Sequence, residues 1–358
     1  MVPSPYQRDL FGALNALPEI RLQVDYLEGA APDSPWAKSP LRDWERILPG
    51  RALTLGQGRL RSHLHWPLPS ISKEQADLVV LNVPTTAVTA QWLFRTVAPP
   101  FLFWGERLLV HPSRAKALIQ AALRSPLKRA AGLIGIGSLA RDQYQSFFPS
   151  QEVANLPYHC DLAPFAEAAT QAQRAQDSGK EVRFLFAGQM IARKGFDLFL
   201  EAFDQVHRMR PETRAILVGR PTEESEGLVR SLAPATRAAI KDRGFVQPEE
   251  LPAVFSEADV MVLPSRHDGW GVVVNQALGA GLPVLASDAV GAAIDLLEPG
   301  ENGFLHPAGD AEDLARHMLA LLDRPTRQKM SLAASARAKD LSPEAGASRF
   351  LEILSRFR

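Results

Sequence analysis

Polar and apolar positions in the second half of the chain fall into blocks whose period switches between strand and helix. Residues 182–186 form a short apolar run ending at Gly188, the pattern of a strand buried on both faces. Residues 195–210 then carry Phe196, Leu198, Phe199, Leu200, Phe203 and Val206 at helical spacing. Residues 214–218, 240–246, 259–263 and 283–286 read as further strands. Pro248, Glu249 and Glu250 open a helix that runs to Ala258, since proline and acids suit the free N–H groups and dipole of a first turn. Residues 271–279, 309–323, 325–340 and 344–357 read as helices. Strands alternating with helices predict a parallel sheet wrapped on both faces, and such sheets bind ligands at the carboxyl ends of their strands.

The first half alternates less cleanly. Residues 7–17 read as a helix and residues 20–26 as a strand. Residues 28–50, rich in proline and polar groups, read as a long loop. Strands are predicted at 76–81, 101–104 and 133–136, and helices near 86–97, 113–125 and 139–147, the second stopped by Pro126. Residues 162–181 are rich in Ala, Gln and charge, with no aromatic after Phe165, and read as a linker. The expected units are residues 1–161, that linker, residues 182–342, and a final helix at 343–358.

A chain of 358 residues fits two domains at about 150 residues each. With 46% hydrophobic and 22% charged residues, long disorder is a poor reading. Forty basic residues balance forty acidic ones, which argues against a nucleic-acid-binding surface. The one cysteine, Cys160, allows no intrachain disulfide and no cysteine-rich zinc module, and points to the reducing cytoplasm. No stretch reaches the roughly 18 to 20 uninterrupted apolar residues of a membrane span. Residues 1–12 lack the pattern of a signal peptide.

Two strand-to-helix turns carry the candidate chemistry. In residues 264–283 (PSRHDGWGVVVNQALGAGLP), Gly269 and Gly271 flank Trp270, with Val272 next. These glycines permit positive φ and close approach of a ligand, and the helix start offers N–H groups to an anion. Asp268 sits in the turn and Gln276 further along the helix. In residues 187–195 (AGQMIARKG), two cations, Arg193 and Lys194, stand where the next helix begins. A helix dipole disfavours cations there, so a bridging diphosphate explains them better.

Together these segments resemble the retaining glycosyltransferases of the GT-B fold, glycosyltransferase family 4, most clearly over residues 182–322. Pro264, Ser265, Gly269, Gly271, Ala277, Gly281, Pro283 and Val284 match the family frame. The resemblance implies an α/β fold with two Rossmann-like domains facing a central cleft. The amino-terminal domain would be on the acceptor side, its first strand apparently missing. The carboxy-terminal domain would bind a nucleotide sugar, and the last helix would cross back. It implies retaining transfer from a nucleoside-diphosphate sugar, UDP- or GDP-linked, to a glycan or lipid-linked acceptor in surface glycan or glycolipid synthesis. No further cofactor, metal or nucleic acid is implied.

The frame departs at both family glutamates: Asp268 replaces the sugar-contacting one and Gln276 the ribose-holding one. Lys194-Gly195 matches, but Gln189, after Gly188, stands where the family has Arg, and Arg193 is the candidate replacement. Phe245 and Val246 resemble the base-reading segment, Gly219 and Arg220 the adjoining turn, and Glu106 an acceptor-side strand end.

Blander readings stand beside these. Asp268 and Gln276 also suit a capping acid and a surface amide, and Arg193 and Lys194 solvated charges. The Gln departures fit a non-catalytic sugar-nucleotide-binding protein, and the fold also suits a sugar-nucleotide epimerase. His63 and His65 share a strand face without a third metal ligand. Residues 107–141 carry seven cations and no acid, with Leu118, Ile119, Ala122 and Leu123 as an apolar stripe. This fits an ordinary packed amphipathic helix, or peripheral contact with an anionic membrane at the cytoplasmic face.

Overall fold

The computed structural model describes residues 3–29, 40–49, 51–55, 62–66, 75–82, 100–108, 113–173 and 181–357. The chain divides into two compact units: Met1–Tyr158 with Pro343–Arg358, and His159–Ser342.

In the first unit a helix at Pro5–Asn15 begins with proline in its first turn and buries Leu10 and Leu14. Strand β1 (Val24–Tyr26) pairs in parallel with β2 (Glu45–Ile47), and β3 (Arg51–Leu55) pairs antiparallel with β4 (Ser62–Trp66). Strands β5 (Val79–Leu81), β6 (Phe101–Gly105), β7 (Gly132–Gly135) and β8 (Val153–Asn155) form a parallel sheet in that order. Helices at Arg114–Arg124 and Ser138–Phe147 alternate with these strands. Phe103, Leu127, Leu133, Tyr144 and Phe148 pack in its core. The final helix, Pro343–Ser355, packs with this unit, Phe350 lying 5.6 Å from the Trp104 ring.

Residues 28–50 are not the uninterrupted loop that their composition predicts, because β2 lies within them. The buried Glu45 carboxylate explains this. It takes hydrogen bonds from Arg8 Nε at 2.8 Å, Tyr26 Oη at 2.8 Å and the Arg42 N–H at 2.9 Å. Polar residues that satisfy one another inside a fold read as loop in a hydropathy pattern. The helix predicted at 86–97 lies outside the described residues, as do the side chains of His63 and His65.

In the second unit, β9 (Val182–Ala187), β10 (Thr213–Val218), β11 (Ile240–Asp242), β12 (Val260–Leu263), β13 (Val284–Ser287) and β14 (Gly303–His306) form one parallel sheet. Their order is β11-β10-β9-β12-β13-β14. Counted within this unit, that is 3-2-1-4-5-6, the Rossmann order. The helix at Phe196–Met209 buries Phe196, Leu198, Phe199, Leu200, Ala202, Phe203 and Val206. Residues 163–173 are not open linker but a helix, Ala163–Gln173. Its one aromatic anchors it: Phe165 packs edge-on against Phe255 at 5.3 Å between centroids. The strand predicted at 240–246 stops at Asp242, and residues 243–246 lie beyond its end, with a bend at Phe245.

Candidate functional site

The sheet order reverses between β9 and β12, and there the carboxyl ends of two adjacent strands feed loops that diverge to opposite faces. A crevice for a ligand forms at such a switch point. The two loops are residues 188–195 and 264–272, the two turns that the sequence marks.

Their closeness depends on Gly195. Its φ is +70°, and a Cβ there would lie 1.9 Å from the Pro264 carbonyl oxygen. The Arg266 N–H donates to the Arg193 carbonyl at 2.8 Å, and Arg193 Nη1 donates to the His267 carbonyl at 3.2 Å. Arg193 Nη2 donates to Gln189 Oε1 at 3.1 Å. The guanidinium therefore reaches the side chain that stands where the family has Arg. Lys194 Nζ forms a short ion pair with Asp268 Oδ2, with side chains only 17% and 9% exposed. Asp268 is itself fixed, its N–H donating to the Ala289 carbonyl at 3.1 Å beside β13.

The neighbouring turns are stacked by glycine. The Gly188 N–H donates to the Val218 carbonyl and the Gly219 N–H to the Gly244 carbonyl, both at 2.9 Å. A Cβ on Gly219 would meet the Gly188 carbonyl oxygen at 2.0 Å. The Arg220 guanidinium lies 5.0 Å over the Phe245 ring, and Val246 and Gln276 are half-buried. These residues belong to the same unit as the two loops.

The Trp270 side chain is fully buried and its indole N–H donates to Asn275 Oδ1 at 2.9 Å, so the ring packs inside the turn. Gly271, at φ +94°, precedes the helix, which starts at Val273 with Val272 as its cap position. Glu106 belongs to the first unit. Tyr158 Oη donates to its Oε1 at 3.0 Å, Gln7 Nε2 donates to Tyr158 Oη at 3.3 Å, and Tyr144 Oη donates to the Glu106 carbonyl at 2.7 Å. Burial, and then the Glu106 charge, hold the Tyr158 phenol well above its ordinary pKa.

The sequence reading missed two residues at the loops. Arg266 forms a double-pronged ion pair with Asp197, at 2.7 Å on each prong, and also donates to the Ala192 carbonyl at 2.6 Å. Nothing in the local pattern signals a partner 69 residues away. Among the described residues no group of three or more His, Cys, Asp or Glu side chains could hold a metal, and no helix is long and apolar enough to cross a membrane. The chemistry assembled is two half-buried cations, one buried carboxylate and several amide groups. Such a set suits an anion bearing hydroxyl groups.

Comparison with known proteins agrees. Residues 181–324 match the family described as glycosyl transferases group 1. The phosphatidyl-myo-inositol mannosyltransferase of Mycobacterium leprae is 30% identical over 268 residues, 73% of this chain and 68% of that protein. The alpha-D-kanosaminyltransferase of Streptomyces kanamyceticus is 27% identical, over 74% of this chain and 64% of its own length. Among solved structures, the sucrose-phosphate synthase of Thermosynechococcus elongatus matches 98% of this chain and 92% of its own at a TM-score of 0.74 and 22% identity. Anabaena HepE, in complex with UDP and glucose, matches 78% of each chain at a TM-score of 0.63 and 19% identity. The Rossmann order of the second unit, the switch-point loops with their Lys-Gly and Pro-Ser frames, and these similarities converge: the chain is a glycosyltransferase of the GT-B fold and belongs to the glycosyl transferases group 1 family.

Proposed function

We propose that the chain moves a sugar from a UDP- or GDP-sugar to an acceptor hydroxyl on a glycan or a lipid-linked acceptor, with retention of anomeric configuration. The observation that carries this reading is the placing of Arg193 and Lys194 on one short turn at the switch point, tied to the Asp268 turn. The two cations take the charge that grows on the departing diphosphate, so the step needs no divalent metal. Arg193 supplies the charge that Gln189 lacks. Before the donor enters, Lys194 is paired with Asp268. The diphosphate competes for Lys194 and releases the carboxylate toward the sugar hydroxyls. Gln276 orients the ribose, the backbone at 244–246 faces the base, and Glu106 serves the acceptor side.

Two relatives support the substrate class: one is named for mannosyl transfer to phosphatidyl-myo-inositol, and HepE holds UDP and glucose. A site at the cytoplasmic face of a membrane fits the cation-rich segment 107–141, where Leu118 is 71% exposed on the helix Arg114–Arg124.

The test is thermal unfolding against UDP-, GDP-, ADP- and dTDP-sugars, followed by acceptor-dependent nucleotide release with and without EDTA and assignment of the product anomer. A donor at about 100 times its Kd stabilises by about 2.7 kcal/mol. A shift with one nucleotide class, lost in Lys194→Gln, and an EDTA-resistant retained product are expected. Folded protein that shifts with no donor overturns the reading. Donor binding without acceptor-dependent release favours the non-catalytic or epimerase alternative.

A further inference from the structure

Arg266 is more exposed than either cation it neighbours, yet its hydrogen bonds run into the loop that carries them. Its side chain donates to the Ala192 carbonyl at 2.6 Å and to both Asp197 oxygens at 2.7 Å, and its backbone N–H donates to the Arg193 carbonyl at 2.8 Å. Ala192 begins the single turn that ends at Lys194, and Asp197 lies in the first turn of the helix that follows. One residue therefore holds the turn from its start, its middle and the helix beyond. Other ties across the gap are Arg193 to the His267 carbonyl, the Lys194–Asp268 pair and the Gly195 packing. A bound diphosphate competes for the side chains in the first two.

We propose that Arg266, clamped to Asp197, is a positioning residue that keeps Arg193 and Lys194 in register with the Asp268 turn while the donor is bound. This rests on the donor-site reading above. The physical need arises from the ion pair itself. When a diphosphate takes Lys194 from Asp268, the tie between the loops that Lys194 provided is lost. The Arg266 guanidinium is already held by the Ala192 carbonyl and both Asp197 oxygens, so a diphosphate that takes Lys194 leaves this tie in place. Cations fixed in advance stabilise developing charge without reorganising at the moment of reaction. Only a guanidinium can engage a carboxylate through two prongs and a carbonyl at once, so Lys is a poor substitute.

The experiment compares wild type, Arg266→Gln, Arg266→Lys, Asp197→Asn, the Arg266→Gln/Asp197→Asn double variant, and Lys329→Gln as a control. The control breaks a surface ion pair with Glu301 away from both loops. Steady-state transfer is measured over a range of donor concentrations well below each variant's unfolding temperature, with nucleoside diphosphate binding measured separately. The expected result is a fall in kcat of about tenfold for Arg266→Gln, with donor KM changed less than threefold. Asp197→Asn is expected to match it, the double variant to lose little more, Arg266→Lys to recover only part, and Lys329→Gln to equal wild type. Wild-type kcat in Arg266→Gln, or a loss that follows the folded fraction alone, overturns the clamp and leaves the donor site standing. Wild-type protein that binds no nucleoside diphosphate and transfers no sugar overturns the donor site, and the clamp with it.

Discussion

Replacing Lys194 by Met tests whether the Lys194–Asp268 pair organises the switch-point loops. The Asp268 side chain is 9% exposed and that of Lys194 17%. Removing the lysine leaves a nearly buried carboxylate without its cation. For a fully buried pair that change costs about 3–5 kcal/mol. The remaining solvent access screens part of it, so about 2–3 kcal/mol is expected here. Adding Asp268→Asn removes the stranded charge, and the double variant should recover to within about 1 kcal/mol of wild type. Urea unfolding at pH 7.5, followed by circular dichroism, gives these values. The double variant must be more stable than Lys194→Met alone. If Lys194→Met costs less than about 0.5 kcal/mol, or if the double variant is the less stable of the two, the pair is not a desolvated contact and the reasoning fails.

Three further outcomes follow from the structure. Gly195→Ala places a methyl 1.9 Å from the Pro264 carbonyl at φ +70°, so it should cost more than about 2 kcal/mol and abolish the thermal shift with donor; an unchanged melting temperature would refute the close approach. Gln276→Glu restores a charged acceptor and should lower the donor Kd by about threefold to tenfold in calorimetric titration, whereas unchanged affinity would place residue 276 away from the ribose. Burial pushes the His306 and His317 imidazoles below 6.5, so the unfolded chain takes up protons first as pH falls. Stability should therefore be full above about pH 7 and decline as pH drops through 6.5, and the slope should flatten in His306→Gln/His317→Gln; parallel losses in both proteins would count against this source.

The core of the second unit is legible in the amino-acid order because its strands are short apolar runs and its helix at Phe196–Met209 buries residues at helical spacing. The two loops are legible for a related reason. Glycines and cations at strand ends have few uses, and the Lys194-Gly195 and Pro264-Ser265 frames narrow them further. The first unit is less legible. Its β2 depends on Glu45 being satisfied by Arg8 and Tyr26, partners 37 and 19 residues away. The helix at Ala163–Gln173 likewise owes its place to Phe165 meeting Phe255, which composition alone does not reveal.

The sequence by itself determined which groups are present at the switch point: two cations, a carboxylate and the glycines of two turns. What only the tertiary structure decided is how those groups are used. The linear motif does not show that the Trp270 ring is buried in the turn, with its indole N–H taken by Asn275. Lys194 and Asp268 read as two independent contacts to donor, but folding pairs them across 74 residues. Arg266 reads as one more charge, but it ties the cation-bearing turn to the helix behind it. The physical reason is common to all three. Local pattern encodes burial and backbone preference within a few residues, whereas the partner of a polar group is chosen by which chain segments the sheet brings side by side.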